Sequence, residues 1–295
     1  MRVYLNVLFK LALGRFSAQF DNHIGLFTLV KMMLDSLVYF VNWKLIPEEE
    51  VAAILPELAE WGVSALVFPP CWGECEQRRP GFIAAMVAKI RRLGMQTPAA
   101  HGLWGSGLDM SCLEHGQRPK MLRQHADFLR ALATSGVKTY TVHPGINEQK
   151  TTTEQWSAIR RSVEQLLPVA VEAEITLALE NGHESVEDLQ QLAAIVAEFQ
   201  HPNVGLCFDS GHANSYSPLG VVGVVQSLSE KIVTCHLHDN YGSDDDHNPP
   251  GDGNIVWQEL IPLLKKCPRL LHAESEAGNW QREAWEKFRT IWSEF

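Results

Sequence analysis

The feature of this sequence that most limits its fold is a short apolar run followed by a longer helical segment, repeated eight times. The apolar runs span residues 37–42, 63–68, 95–101, 137–143, 175–180, 204–209, 232–238 and 270–274. The run at 63–68 is apolar at nearly every position, which is typical of parallel strands buried on both faces. Between the runs, spacings such as Leu189, Leu192 and Val196 place apolar side chains on one face of a helix.

Eight such units in a chain of 295 residues predict a closed (β/α)8 TIM barrel, which typically takes about 250 residues. The alternative is an open doubly wound sheet, which usually carries a glycine-rich phosphate loop after its first strand. Neither GxGxxG nor GxxxxGK followed by Ser or Thr occurs here, and no linker divides the chain. We therefore predict one α/β barrel domain over residues 36–295.

Residues 1–35 precede the first apolar run, and we expect them to form an N-terminal extension outside the barrel. They lack the long apolar centre and the clear cleavage site of a signal peptide. Their helical spacing of apolar residues leaves a membrane-surface or partner-binding helix as the alternative.

Glycines and a serine mark the expected ends of helices. Gly62, Gly94 and Gly136 each stand shortly before an apolar run, where a residue with positive φ caps a helix. Ser185 with Asp188 three residues later resembles a capping box, so we expect a helix to begin there.

The composition indicates which binding partners and which cellular compartment to expect. The formal net charge is −10, which makes nucleic acid an unlikely partner because an acidic surface repels phosphates. The six cysteines show no CxxC spacing, which favours a reducing, cytoplasmic location without disulfides. No stretch reaches the roughly 20 apolar residues of a membrane span, so no membrane partner is expected.

Polar residues gather where the predicted strands end, which is where active sites of TIM barrels lie. Those at the strand ends are His101, His143, Glu180, Asp209, His236, His238 and Glu274, and His212, Asp245 and His247 follow in nearby loops. So many buried carboxylates would repel one another unless a cation lay between them, so the sequence predicts a divalent metal ion. Oxygen and nitrogen donors without cysteine suit Mn, Co, Zn, Fe or Mg, and the histidines argue against a pure Mg²⁺ site.

Short motifs at these positions resemble the xylose isomerase-like TIM barrel superfamily, which includes sugar phosphate isomerases and epimerases. They are Val-His-Pro-Gly at 142–145, Leu-Glu-Asn at 179–181, Asp-Ser-Gly-His at 209–212, His-Leu-His-Asp-Asn at 236–240 and Gly-Asp-Gly at 251–253. The resemblance covers about residues 36–293 and rests on the order of the motifs and their placement at strand ends.

The resemblance implies roles for individual residues. The shared metal ligands of the superfamily match Glu180, Asp209, His236 and Glu274, and in the epimerases Glu180 and Glu274 would also be the catalytic carboxylates. Residues expected to bind a second metal ion or the substrate are His101, His143, His212, Asp245 and His247, together with His238, whose side chain shares the parity of His236. Trp43, Trp72 and Trp104 follow the first three strands and are expected to wall a substrate pocket.

The expected activity is that of a divalent-metal-dependent sugar or polyol isomerase or epimerase, which moves a proton next to a carbonyl through a metal-stabilised enediolate. The alternatives are a metal-dependent dehydratase of the inosose type, a zinc-dependent abasic-site endonuclease-like phosphodiesterase, and a non-catalytic barrel. The stretch 101–116 contains no Lys or Arg, which disfavours a grip on DNA. The expected partner is a small-molecule sugar or polyol, and a homo-oligomer is left open.

Overall fold

A computed structural model of the chain describes residues 37–40, 48–146, 151–277 and 281–295. Within these ranges eight parallel strands close into a barrel in chain order, and the last strand pairs with the first. The strands are β1 Leu37–Tyr39, β2 Ala65–Phe68, β3 Gln96–His101, β4 Thr139–Val142, β5 Thr176–Glu180, β6 Val204–Asp209, β7 Ile232–Leu237 and β8 His272–Ser275. The predicted (β/α)8 TIM barrel is confirmed.

Helices connect the strands, as a right-handed parallel barrel requires. They are α1 Glu48–Glu60, α2 Pro70–Arg78, α3 Phe82–Arg92, α4 Gln117–Leu132, α5 Thr153–Glu172, α6 Val186–Phe199, α7 Ser210–Tyr216, α8 Gly220–Leu228, α9 Trp257–Leu264 and α10 Arg282–Glu294. None of the described helices is long and apolar enough to cross a membrane. The N-terminal extension predicted for residues 1–35 lies outside the described residues.

The predicted helix caps are confirmed. Gly62, Gly94 and Gly136 have φ values of +75°, +77° and +98°, a region that glycine enters without a steric penalty. Ser185 accepts a hydrogen bond from the Asp188 backbone N–H, and the Asp188 side chain accepts one from the Ser185 backbone N–H. This capping box starts α6 five residues after Glu180, so it helps to fix the chain where it leaves the barrel mouth.

Strand alternation builds two apolar layers. Leu66 and Phe68 of β2 pack in the large cluster shared with the helices. Ala65 and Val67 of the same strand face the barrel axis and form a small cluster with their neighbours Val38 and Ala99. The predicted two-sided burial of the strands follows from this arrangement.

The barrel contains two small apolar clusters and a set of buried polar side chains. Strands β1 to β3 supply one apolar cluster, against which Phe40 packs, and Ala178, Cys207 and Val233 form the other. The buried polar side chains come from strands β3 to β8 and include His101, Thr139, Glu180, Asp209, Thr234, His236, His272 and Glu274. Buried polar groups persist only with partners, so these side chains mark where chemistry is expected. All six cysteines are free.

Candidate metal centre

Four acidic and imidazole side chains meet at the carboxyl end of the barrel. Glu180 and Asp209 end β5 and β6, His236 lies one residue before the end of β7, and Glu276 directly follows β8. One donor atom from each lies within 4.8 Å of a donor atom from every other. Donors that bind one ion at about 2.1 Å stand about 3–4 Å apart, so small side-chain movements would bring all four onto one cation.

His236 Nδ1 lies at the centre of this group. It is 3.0 Å from Glu180 Oε1 and 2.9 Å from Glu276 Oε2. Asp209 Oδ2 lies 3.8 Å from the same nitrogen. Glu180, Asp209 and His236 are buried, whereas the Glu276 side chain is 16% exposed and reaches the mouth.

The fourth member of the group is Glu276, whereas the sequence led us to expect Glu274 in this place. Glu274 is fully buried on the other side of the His236 ring, with its Oε2 3.4 Å from His236 Nε2. Its Oε1 accepts a hydrogen bond of 2.5 Å from Thr234 Oγ1. Burial raises the pKa of Glu274, but His236 and His272 outweigh burial and lower that pKa to about 2. The structure thus brings Glu276, and not Glu274, together with Glu180, Asp209 and His236.

The four residues fit a divalent metal ion. Glu180 Oε2 is buried and makes no well-aligned hydrogen bond, although His143 Nε2 lies 3.0 Å away. Among the described residues, every ion-pair partner of Glu180, Asp209 and Glu276 within 4.0 Å is a histidine. Three carboxylates with only imidazoles to balance them form a donor set that a divalent cation would neutralise.

Electrostatic coupling within the group is strong. Burial raises the pKa of Glu180, but His236 and His143 outweigh burial and hold that pKa well below its ordinary value. Burial lowers the pKa of His236, but Cys207, Glu276 and Glu180 outweigh it, and the His236 pKa lies well above its ordinary value. The cluster therefore favours charged carboxylates and a positive charge among them.

Two further predicted histidines stand beside Glu180. His143 Nε2 lies 3.0 Å and His101 Nε2 lies 3.7 Å from Glu180 Oε2. The Nδ1 atom of His101 is 2.9 Å from the Gly102 carbonyl oxygen, which leaves its Nε2 facing the carboxylate. His101, Glu180 and His236 form a second group with metal-binding spacing.

An outer cluster with metal-binding spacing lies in the loop after β7 and is formed by His238, Asp245 and His247. Asp245 Oδ2 is 3.0 Å from His247 Nε2 and 3.3 Å from His212 Nε2. His238 Nε2 lies 3.1 Å from Asp209 Oδ2, and the His238 and His247 rings stack 4.1 Å apart. Of the six residues predicted to bind a second metal ion or the substrate, His212, His238, Asp245 and His247 therefore lie together here, and His101 and His143 lie beside Glu180.

Charge interactions and close packing both stabilise the arrangement of side chains in the outer cluster. Burial lowers the pKa of His247, but the hydrogen bond with Asp245 and the charges of Glu276 and Asp245 together outweigh burial and raise that pKa to about 10. A β-carbon at Gly211 would overlap the His238 ring, so only glycine fits there. This requirement explains the glycine in Asp-Ser-Gly-His.

The loop that carries Asp245 and His247 is fastened by Asp239, a fully buried residue. The Oδ1 atom of Asp239 accepts from the backbone N–H groups of Asn240 and Ile255 at 3.0 and 3.1 Å. Its Oδ2 atom accepts from Gly251 N at 2.9 Å and from Trp257 Nε1 at 2.8 Å. One carboxylate thus satisfies four donors and joins both ends of the loop.

Of the three tryptophans predicted to line a substrate pocket, the structure describes Trp72 and Trp104. Trp43 lies outside the described residues. Trp72 is 1% exposed and packs in the hydrophobic core edge-on to Phe68 and Phe82, so it is removed from the predicted pocket. Trp104 is 42% exposed and stacks on His143 at 5.6 Å, which places it at the mouth beside the cluster.

Sequence reasoning missed Glu276 and Asp239. Glu276 is two residues beyond Glu274, so strand alternation turns both side chains toward the axis. Asp239 stands inside the motif His-Leu-His-Asp-Asn at the start of a long polar loop, and this position was the available signal.

Fold and site together define a (β/α)8 barrel with a carboxylate and imidazole cluster of metal-binding type at its carboxyl end. Residues 55–289 match the model of the family described as Xylose isomerase-like TIM barrel. The chain belongs to that family, and the resemblance drawn from its motifs is confirmed.

An individual curated relative matches a smaller part of the chain than the family model does. The uncharacterized protein y4fM of Sinorhizobium fredii is 28% identical over 130 residues, which are 41% of this chain and 40% of the relative. The match therefore spans about two fifths of that relative's length.

Solved structures match over nearly the whole barrel. A D-tagatose 3-epimerase-like protein is 21% identical with a TM-score of 0.72, over 87% of this chain and 98% of that one. The IolI protein with a bound zinc atom is 17% identical with a TM-score of 0.71, over 88% and 99% of the two chains. At these identities the likeness shows a shared fold.

Proposed function

We propose that this chain is a divalent-metal-dependent enzyme that isomerises or epimerises a small sugar or polyol. The observation that carries the proposal is the pair of carboxylates, Glu180 and Glu276, that flank His236 Nδ1 at 3.0 and 2.9 Å. Support comes from the family and from the similar structures, whose descriptions include a D-tagatose 3-epimerase-like protein and a zinc-bound IolI protein.

In this proposal Glu180, Asp209, His236 and Glu276 hold the ion. A bound divalent cation supplies Lewis acidity, which polarises a carbonyl oxygen and stabilises negative charge that develops on it. A mixed set of oxygen and nitrogen donors accepts each of Mn, Co, Zn, Fe and Mg, so the donor types alone do not select the ion. The ion that binds depends on which metal is available and on the coordination geometry of the site.

Proton transfer is assigned to Glu180 and Glu276. One carboxylate takes a proton from the carbon next to a carbonyl, and the other returns a proton on the opposite face, which gives an epimer. Return to the neighbouring carbon gives the aldose–ketose isomer. Glu276 takes the role that the sequence assigned to Glu274, because Glu276 reaches the mouth while Glu274 is enclosed behind the His236 ring.

A neutral sugar or polyol suits the walls of the mouth. The exposed indole of Trp104 offers an aromatic face of the kind that packs on the C–H side of a sugar ring. His143 beneath it is 27% exposed and offers a hydrogen bond to a hydroxyl group.

Deuterium uptake tests the proposal. Keto-sugars and inososes incubated with the metal-loaded protein in D₂O are expected to gain deuterium at a carbon next to the carbonyl, read by mass spectrometry and NMR. Glu180→Gln is expected to slow this exchange roughly 100-fold or more, because general acid–base catalysis contributes about 10²–10⁴-fold. Glu259→Gln, at an exposed position of α9, serves as the control and should exchange at the wild-type rate.

Absence of exchange for every compound offered would count against the proposal. Cleavage of an abasic-site phosphodiester by the zinc-loaded protein under the same conditions would then favour the endonuclease-like alternative.

We further propose that the outer cluster of His238, Asp245 and His247 binds a second ion, with His212 as an additional donor. Support comes from two buried atoms of the cluster without hydrogen-bond partners, His238 Nδ1 and Asp245 Oδ1. Such atoms are costly unless a ligand satisfies them. His101 and His143 remain candidates for substrate or for an ion shared with Glu180.

Metal counting tests the outer cluster. His247→Asn is expected to retain one ion fewer per chain than wild type after exhaustive dialysis against zinc-buffered solution, measured by elemental analysis. The exposed His115→Asn is the matched control and should retain the wild-type number. Equal metal contents in wild type and His247→Asn would contradict a site at the outer cluster.

A further inference from the structure

A line of buried polar side chains runs behind the His236 ring, on the side away from the four proposed ligands. Glu274 Oε2 lies 3.4 Å from His236 Nε2, and Glu274 Oε1 lies 3.3 Å from His272 Nε2. Thr234 Oγ1 donates to the same Oε1, and Thr139 Oγ1 lies 2.8 Å from His272 Nε2. All five side chains are at most 4% exposed. The line therefore reaches from β7 and β8 across the barrel to β4 without contact with solvent.

Two atoms in this line have no hydrogen-bond partner, and they face each other. They are His236 Nε2 and Glu274 Oε2. A buried donor or acceptor without a partner costs about 1–3 kcal/mol. Their separation of 3.4 Å exceeds a good N–H···O bond by about 0.5 Å, so a slight turn of the ring would satisfy both atoms at once.

The orientation of the His236 ring indicates what the pair of His236 Nε2 and Glu274 Oε2 does. Its Nδ1 atom faces Glu180 and Glu276, and its Nε2 atom faces Glu274. A neutral imidazole that binds a metal through Nδ1 carries its proton on Nε2, and that N–H needs an acceptor. A carboxylate in this place fixes the tautomer and the ring orientation and makes the ligating nitrogen more basic.

We propose that Glu274 is a positioning residue that presents His236 Nδ1 to the metal ion, and that Thr234 and His272 hold its carboxylate in place. Glu274 itself does not ligate the ion. The inference depends on the proposed function for the presence of an ion, and it requires no particular substrate.

Metal affinity without substrate tests this role, by competition between the protein and a chelator for Zn²⁺ or Co²⁺. Glu274→Gln is expected to weaken the apparent affinity roughly 10- to 100-fold, the usual effect of removing a partner behind a ligating histidine. Thr234→Val, which frees the carboxylate without removing it, is expected to weaken affinity in the same direction by a smaller factor.

Two matched variants serve as controls. Glu184→Gln removes another buried glutamate, and Thr97→Val removes another buried strand hydroxyl, and neither residue lies in the metal-binding groups. Both are expected to bind the ion with wild-type affinity. The melting temperature of each metal-free variant is measured beside its affinity, because a purely structural role would lower that temperature and leave affinity unchanged.

Unchanged affinity in both Glu274→Gln and Thr234→Val would overturn the positioning role. A loss in Glu274→Gln as large as that in Glu276→Gln would also overturn it, because Glu274 would then be a direct ligand. A wild-type protein that binds the ion but exchanges no deuterium would overturn the proposed reaction and leave the role of Glu274 intact.

Discussion

Replacement of Glu276 by glutamine is expected to lower the affinity for a divalent ion roughly 100- to 1000-fold and to abolish turnover. Glutamine keeps the size of the side chain but removes one negative charge from a group held together by charge. Breaking a buried ionic contact by removing one partner costs about 3–5 kcal/mol, and each 1.4 kcal/mol is about tenfold in affinity. Isothermal titration of the metal-free protein, followed by elemental analysis after dialysis, gives both the affinity and the retained metal.

The matched control for this change is Glu259→Gln, which alters an exposed glutamate and should bind the ion as wild type does. Circular dichroism of each variant verifies that the barrel is intact. A Glu276→Gln protein with wild-type affinity would show that Glu276 is not a ligand. A larger loss in Glu274→Gln than in Glu276→Gln would restore the assignment made from the sequence.

Asp239→Asn is expected to cause the largest loss of stability among the predicted variants. The substitution replaces one acceptor oxygen with an NH₂ group, so two of the four donors lose their partner. Each such donor costs about 1–3 kcal/mol, and the total is about 2–6 kcal/mol. For a chain of this size about 1 kcal/mol shifts the melting temperature by about 2–4 °C, so a fall of roughly 4 °C or more is expected by calorimetry.

Asp246→Asn is the control because Asp246 is exposed in the same loop. Its melting temperature is expected to stay within about 1 °C of wild type, as for most surface substitutions. A similar fall in both variants would show that loop charge, and not the four hydrogen bonds of Asp239, supports stability.

The strands and caps could be predicted from the sequence because their signals are local. Apolar runs are visible without knowledge of neighbours, and a glycine such as Gly62 before a run marks a helix end by its own backbone freedom. The run at 63–68 nevertheless begins at Ala65 in the structure. Val63 N donates to the Leu58 carbonyl oxygen, so that residue still belongs to the helix cap.

The proposed fourth ligand, Glu276, could not be predicted from the sequence, for a geometric reason. Glu274 and Glu276 point to the same side of β8, since side chains alternate with a period of two. Only the stagger between strands decides which of them reaches the level of Glu180 and Asp209. In the structure Glu274 pairs with His236 in register, and Glu276 is the residue at the height of His236 Nδ1.

For residues just outside the strands, the sequence predicted the side-chain direction in one case and not in another. His238 was expected to face the axis from its parity with His236, and it is buried against Asp209. Trp72 was placed at the pocket because it follows β2, but α2 starts at Pro70 and turns its indole into the core. Strand parity predicts the direction of a side chain as long as the backbone stays extended. Parity no longer applies where a helix begins directly after the strand, as α2 does after β2.

Closure of the barrel has a consequence for how copies of this chain can associate. Among the described strands each one pairs on both sides, with β1 joined to β2 and to β8. These eight described strands therefore leave no backbone ladder open for a strand of another molecule to extend, which removes the usual route to sheet-to-sheet aggregation through them. An assembly that uses the described barrel must rely on side chains of its helices and loops, where shape and charge can select the partner.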